Sequence, residues 1–318
     1  MLGTILIFSN RSRILVAAAL VALVSSACVS EAESADGVTV VATTTIAGDL
    51  VARVVRDAAS VEVLMPAGAD PHDFSPSSQQ VATLRTADLV VAWGLGLEEG
   101  MEDVLESAAG DGVRVLELSA LVDPISFGEE DDEDENEEDH GHGGLDPHTW
   151  MDPVRMAAAV REIGLALTQI APGGDWMSNA ERASSEFLAV HDELVSILSV
   201  IPPERRKLVT NHDAFGYLAD RYDFEVVGVA VPGGSTLASP SPAQIARLVD
   251  AVRDAGVDVL FAETTSSSGL LDAVAGELEG VRVVELLEGS LAPEGEVGDT
   301  LDGMLFFNAR TIAEALGS

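Results

Sequence analysis

Residues 77–116 read SSQQVATLRTADLVVAWGLGLEEGMEDVLESAAGDGVRVL. A helix-like pattern over 77–86 gives way to the β-branched run 89–92. A second helical pattern over 97–109 then leads into another short apolar run at 113–116. Short strands alternating with longer helices at this spacing predict parallel βαβ units, because parallel neighbours need a crossover. The pattern extends in both directions. Upstream, strands are expected at 38–42 and 61–64 with a helix over 47–59, on which Asp49 and Asp57 would be solvent-facing charges. Downstream, strands are expected at 208–210, 226–229, 259–262 and 281–285, with helices over 215–222, 242–255 and 269–278 and a closing helix over 303–316. Between the two series lie a helix over 154–170 and a long one over 175–200. The long helix would bury Phe187, Leu188, Leu194, Ile197 and Leu198, and Pro202-Pro203 stops it. The expected class is α/β: two Rossmann-like lobes with parallel sheets, joined by one long rigid helix.

The chain has 318 residues, 47% of them hydrophobic and only 4% aromatic, so its cores must be aliphatic. Its formal net charge is -37, and Lys207 is the only lysine. Such a surface argues against nucleic-acid partners, which need a basic face, and favours cations. Apart from Asn136, every residue from 129 to 139 is a carboxylate, and His140 and His142 follow. Repulsion within this run predicts an extended loop over 129–144, with transient cation capture as its functional reading.

At the N-terminus, Arg11 and Arg13 precede an apolar run over 14–24, then Ser25-Ser26-Ala27 and the sole cysteine, Cys28. This is the charged, apolar, small-residue order of a secretory signal, and the run is too short for an ordinary membrane span. The expected organisation is a signal peptide over 1–28 with Cys28 acylated, a tether over 29–36 and an N-terminal lobe over 37–170. A connecting helix over 171–203 and a C-terminal lobe over 204–318 complete it. Cleavage after Ala27 without acylation is the alternative, since Ser25 stands where a lipobox usually has Leu.

Three histidines sit in short motifs far apart: Asp70-Pro71-His72-Asp73-Phe74, Asp146-Pro147-His148-Thr149-Trp150 and Thr210-Asn211-His212-Asp213-Ala214-Phe215. Imidazole is the commonest metal ligand near neutral pH, and Pro fixes the backbone just before two of the three. His72 follows one expected strand and His212 directly follows another, where open parallel sheets place their ligands. His191, next to charged Asp192 and Glu193 on the long helix, is expected to be structural or surface, and Asp73 and Asp213 to support the ligands or their loops.

These motifs, with Leu84-Arg85-Thr86-Ala87-Asp88-Leu89-Val90-Val91 and Gly94-Leu95-Gly96-Leu97-Glu98, resemble the zinc/manganese solute-binding family of metal ABC importers. The likeness covers residues 38 to about 316. It implies one metal in the interlobe cleft, His72 and His148 from the first lobe and His212 from the second, and no catalysis. It also implies a membrane permease as partner, a monomer outside the cytoplasm and membrane attachment only through lipid. Cell adhesion, suggested for early members, is a lesser implication. A fourth ligand, Asp or Glu, is implied after the last strand. Here Gly289 stands at that position, so Glu288, one residue earlier, is the expected ligand, with Glu263, a water or a loop histidine as alternatives. Three imidazoles and one carboxylate fit tetrahedral Zn²⁺ better than Mn²⁺, which prefers more oxygen. The manganese branch commonly has Glu where this chain has His212, and the loop with His140 and His142 is similar to the His-rich loop of zinc members. The rival from another class is a zinc hydrolase, against which no His-Glu-x-x-His pair occurs.

Overall fold

The computed structural model describes residues 37–127 and 144–317. The expected signal peptide, Cys28, the tether and the acidic run with His140 and His142 lie outside the described residues. Strands β1 (Thr39–Ala42), β2 (Ser60–Val63), β3 (Leu89–Ala92) and β4 (Val115–Glu117) form one sheet in the order β2-β1-β3-β4. Strands β5 (Lys207–His212), β6 (Glu225–Val231), β7 (Val259–Glu263) and β8 (Arg282–Leu286) form a second in the order β6-β5-β7-β8. Every pairing is parallel, for example Val40 against Leu89 and Val259 against Arg282. In each sheet the chain moves outward from the first strand and then crosses back to its other side. That reversal opens a crevice at the carboxyl ends of β1 and β3, and of β5 and β7.

Helices α1 (Thr45–Val55), α2 (Ser78–Leu84) and α3 (Glu102–Gly110) cross over in the first lobe. Helices α4 (Pro153–Ile170) and α5 (Trp176–Leu198) follow, and α6 (Gly216–Tyr222), α7 (Pro242–Ala255), α8 (Gly269–Gly276) and α9 (Leu301–Leu316) belong to the second lobe. Their starts are written locally. Ser77 with Gln80, and Ser241 with Gln244, form capping boxes that satisfy backbone donors at both sides of the first turn. Asp152 caps α4, whose first residue is Pro153, and Thr44 caps α1.

Three apolar clusters hold the molecule. The outer face of each sheet has its own: Val41, Leu64, Leu84 and Val90 in the first lobe, Val209, Leu248, Val252 and Leu260 in the second. The largest is shared. It runs from Val40 and Leu89 through Trp150, Ile163, Trp176 and Phe187 to Leu208, Phe261 and Ile312. The connecting helix is α5, which packs on α1 of the first lobe and on α9 of the second, with α4 lying along it. Two expectations change. Leu188 is 41% exposed, because the buried stripe of α5 passes through Ala180, Ala183, Phe187, Val190, Leu194 and Leu198, and Leu188 lies beside it. Asp49 is not a free surface charge: it pairs with Arg53 at 2.9 Å and accepts the Leu301 N–H at 3.3 Å, while Arg53 also pairs with Asp302. These contacts pin α1 of the first lobe to the start of α9 in the second. Among the described residues no helix is long and apolar enough to cross a membrane.

Candidate metal centre

The three motif histidines meet. His212 is the last residue of β5, His72 lies in the loop after β2, and His148 precedes the 3₁₀ turn Thr149–Met151 that leads into α4. His72 Nε2 is 3.3 Å from His148 Nε2, and His212 Nε2 is 3.2 Å from the same atom. Nitrogens this close on three rings could share a cation or a proton. Two tetrahedral ligands with Zn–N bonds of about 2.0–2.1 Å lie about 3.3 Å apart, which matches both spacings.

Two of the three rings are oriented from behind. His148 Nδ1 faces Asp146 Oδ1 at 2.8 Å, and His212 Nδ1 faces Glu263 Oε2 at 2.6 Å. An Nδ1–H donated to a carboxylate leaves the Nε2 lone pair free for the centre and raises the ring's basicity. His72 is held differently. Its Nδ1 has only a 3.5 Å ion pair with Glu99 and no hydrogen-bond partner among the described residues. The two Asp-Pro-His motifs begin alike, since Asp70 Oδ1 accepts the His72 N–H at 2.9 Å and Asp146 Oδ1 accepts the His148 N–H at 2.8 Å. They diverge at the ring, because the other oxygen of Asp70 is occupied by the Thr236 hydroxyl at 2.7 Å.

Glu288 is buried beside this cluster. It and Glu263 each offer an oxygen within 4.8 Å of a His212 nitrogen. Glu288 Oε1 is buried without a hydrogen-bond partner among the described residues, and its Oε2 lies 3.4 Å from the Thr265 hydroxyl. A buried, unpartnered carboxylate oxygen is costly unless a cation meets it. Glu263, the alternative fourth ligand, spends its oxygens on the His212 ring and on the His212 N–H at 3.3 Å. Asp73 is exposed, and Asp213 is half-buried. The ring partners are Asp146 and Glu263 instead. Asp146, two residues before His148 in the second Asp-Pro-His motif, carried a local signal, although Asp73 and Asp213 were expected in that role. Glu99 and Glu263 lie far from their histidines in the chain and had no local signal. His191 stacks on Tyr222, ring centres 5.7 Å apart, as a structural residue does.

Burial and the crowding of charged and titratable groups shift the proton affinities of this cluster. Burial, with His212 and His72 nearby, holds His148 well below the ordinary imidazole range. Burial also pushes Asp146 well above the usual carboxylate range, opposed by the His148 N–H. For His212, burial acts downward, but the charge and hydrogen bond of Glu263, with Glu288 and Asp70, prevail and raise it to about 9. Burial raises Glu288 to about 8, with His212 opposing and Glu263 and Asp70 adding to the rise. A buried group of histidines and carboxylates with these spacings suits a divalent metal ion.

Known proteins share this architecture. The chain is 32% identical over 251 residues to the high-affinity zinc uptake system protein ZnuA of Bacillus subtilis, covering 77% of each chain. It is 27% identical over 303 residues to the manganese-binding lipoprotein MntA of Halalkalibacterium halodurans, covering 93% of this chain and 95% of that one. The structure of the periplasmic zinc binding protein TroA from Treponema pallidum superposes with a TM-score of 0.78 at 25% identity, over 88% of this chain and 99% of that one. The profile of the zinc-uptake complex component A periplasmic family matches residues 40–315. With the match spanning both lobes and all three histidine motifs, the chain belongs to that family.

Proposed function

We propose that this protein captures one Zn²⁺ outside the cytoplasmic membrane, through His72, His148, His212 and Glu288, and delivers it to the permease of an ABC importer. The observation that carries this is the cluster of Nε2 atoms at 3.2–3.3 Å beside the unpartnered Glu288 oxygen. The relatives are named for zinc, manganese and iron, so the metal is chosen on the donor set. Three imidazoles and one carboxylate favour zinc, and manganese is the alternative. A buried fourth ligand would leave no open position for the activated water of a zinc hydrolase. The strongly acidic surface would draw cations toward the protein. Acylation at Cys28 would hold the monomeric protein at the membrane face where the permease lies.

The test is metal analysis of the purified protein together with competitive titration of Zn²⁺ and Mn²⁺. One tight Zn²⁺ site with Mn²⁺ far weaker is expected. Tighter Mn²⁺, or no tight site, would overturn the zinc assignment.

The pH dependence has a definite sign. With His212 at about 9 and Glu288 at about 8, the empty site holds protons at neutral pH that the metal must displace. His148, held low, is already neutral there. Zinc affinity should therefore climb from pH 6 to about 9 and flatten above it, because proton competition ends there. Calorimetry at pH 7 in buffers of different ionisation enthalpy should report proton release on binding. An affinity unchanged between pH 7 and 9 would contradict this ligand set.

A further inference from the structure

The four groups at the centre are at most 2% exposed, so an ion held there cannot leave by a straight path. Wide separation of the lobes is opposed by their shared core and by the α1–α9 contacts. Movement must come from the loops that carry the ligands. His148 and His212 are each tied from behind by a buried carboxylate at 2.6–2.8 Å. His72 and Glu288 have no such tie. Their loops are fastened to each other, across the cleft, through one side chain. The Ser290 hydroxyl accepts the Gly68 N–H at 2.8 Å, on the loop that leads to His72. It also lies 3.2 Å from the Thr45 hydroxyl, and that hydroxyl accepts the Leu291 N–H at 2.8 Å. Between Glu288 and Ser290, Gly289 takes φ +64°, a conformation that glycine adopts freely. A Cβ there would stand 3.2 Å from Pro71 Cδ, next to His72. The two loops therefore touch at Gly289 and are bonded at Ser290.

Resting on the four-ligand assignment above, we infer that Ser290 is a positioning residue that holds the His72 and Glu288 loops together and sets how long the ion stays bound. The His148–His212 half of the site is rigid. The His72–Glu288 half opens when the neutral hydrogen bonds at Ser290 break, and docking on a permease would need to disrupt those together with the Thr236–Asp70 hydrogen bond that also holds the His72 loop.

The experiment measures zinc release from the purified, zinc-loaded protein into excess chelator by stopped flow, for the parent, Ser290→Ala, Thr45→Val and the double variant. Each single variant should release zinc about five- to tenfold faster, the size expected from losing one or two hydrogen bonds. The double variant should be little faster than the quicker single one, because both residues serve one junction. The melting temperature of the metal-free protein should barely change, while that of the zinc-loaded protein falls. Parent-like release from both single variants overturns the inference while leaving the zinc assignment intact. Equal loss of melting temperature with and without zinc also overturns it, since it would mark Ser290 as a packing residue. Failure of the parent itself to bind zinc tightly would strike the four-ligand assignment instead. Should Ser290→Ala not fold, Thr45→Val alone carries the same comparison.

Discussion

His148→Ala should weaken zinc binding by well over a hundredfold. Loss of a partner behind a metal ligand costs about 10–100-fold, and loss of the ligand itself must exceed that. His148 is the central ring, because its Nε2 lies within 3.3 Å of the Nε2 of both other histidines. Its removal leaves His72 and His212 facing a gap, with Asp146 keeping only the backbone N–H of position 148. His72→Ala and His212→Ala should follow the same course. His191→Ala should bind zinc like the parent, because that ring stacks on Tyr222. The protein supplies its own signal for the measurement. The Trp150 ring lies 5.2 Å from His148 and 4.9 Å from Trp93, so metal binding should change tryptophan emission. Competitive titration followed by that emission checks the order. Parent-like affinity in His148→Ala would place the metal elsewhere.

Glu263→Gln should weaken zinc binding by about 10–100-fold, and the loss should depend on pH. In the parent, the Glu263 carboxylate at 2.6 Å orients His212, strengthens its Nε2 as a donor and raises its proton affinity. The amide keeps the shape and loses the charge. His212 then binds both the metal and the proton less well. Below pH 8 the weaker proton competition offsets part of the weaker metal bond. Above pH 9 the parent has no proton to displace, so the gap between parent and variant should be widest there. Affinity titrations at pH 6.5 and 9.5 would reveal this widening. A gap that is equal at both values would mean that Glu263 acts on geometry alone.

The eight strands were legible in the sequence because each is a short β-branched or aliphatic run set between turn residues, clearest in the central strands β1, β3, β5 and β7, which are buried on both faces. The three motif histidines were legible for the same local reason: a strand end or a Pro-fixed turn carries each one. The partners behind them were not: Asp73 and Asp213 were expected in that place, although one true partner is local. Asp146 precedes His148 by two residues, whereas Glu263 reaches His212 across the β5–β7 pairing and Glu99 reaches His72 from the turn before α3. Pairings of this kind exist only after the sheet has formed. The position of Leu188 shows a similar limit. Leucine beside phenylalanine looks buried in a string of letters, but only the neighbours of α5 decide which face is covered. Asp49 looked like an ordinary surface charge until α9, some 250 residues later, arrived against it.

The shared core bears on how such proteins can diversify. The inner faces of both sheets and the α4–α5 pair pack as one apolar cluster, so neither lobe has a complete interior of its own. A lobe transplanted from a relative would bring half of an interior shaped to a different partner. Recombination at the middle of the gene is thereby discouraged, and the whole two-lobed body becomes the smallest heritable module. New metal preferences would then arise by point changes in the loops at the cleft rather than by exchange of lobes.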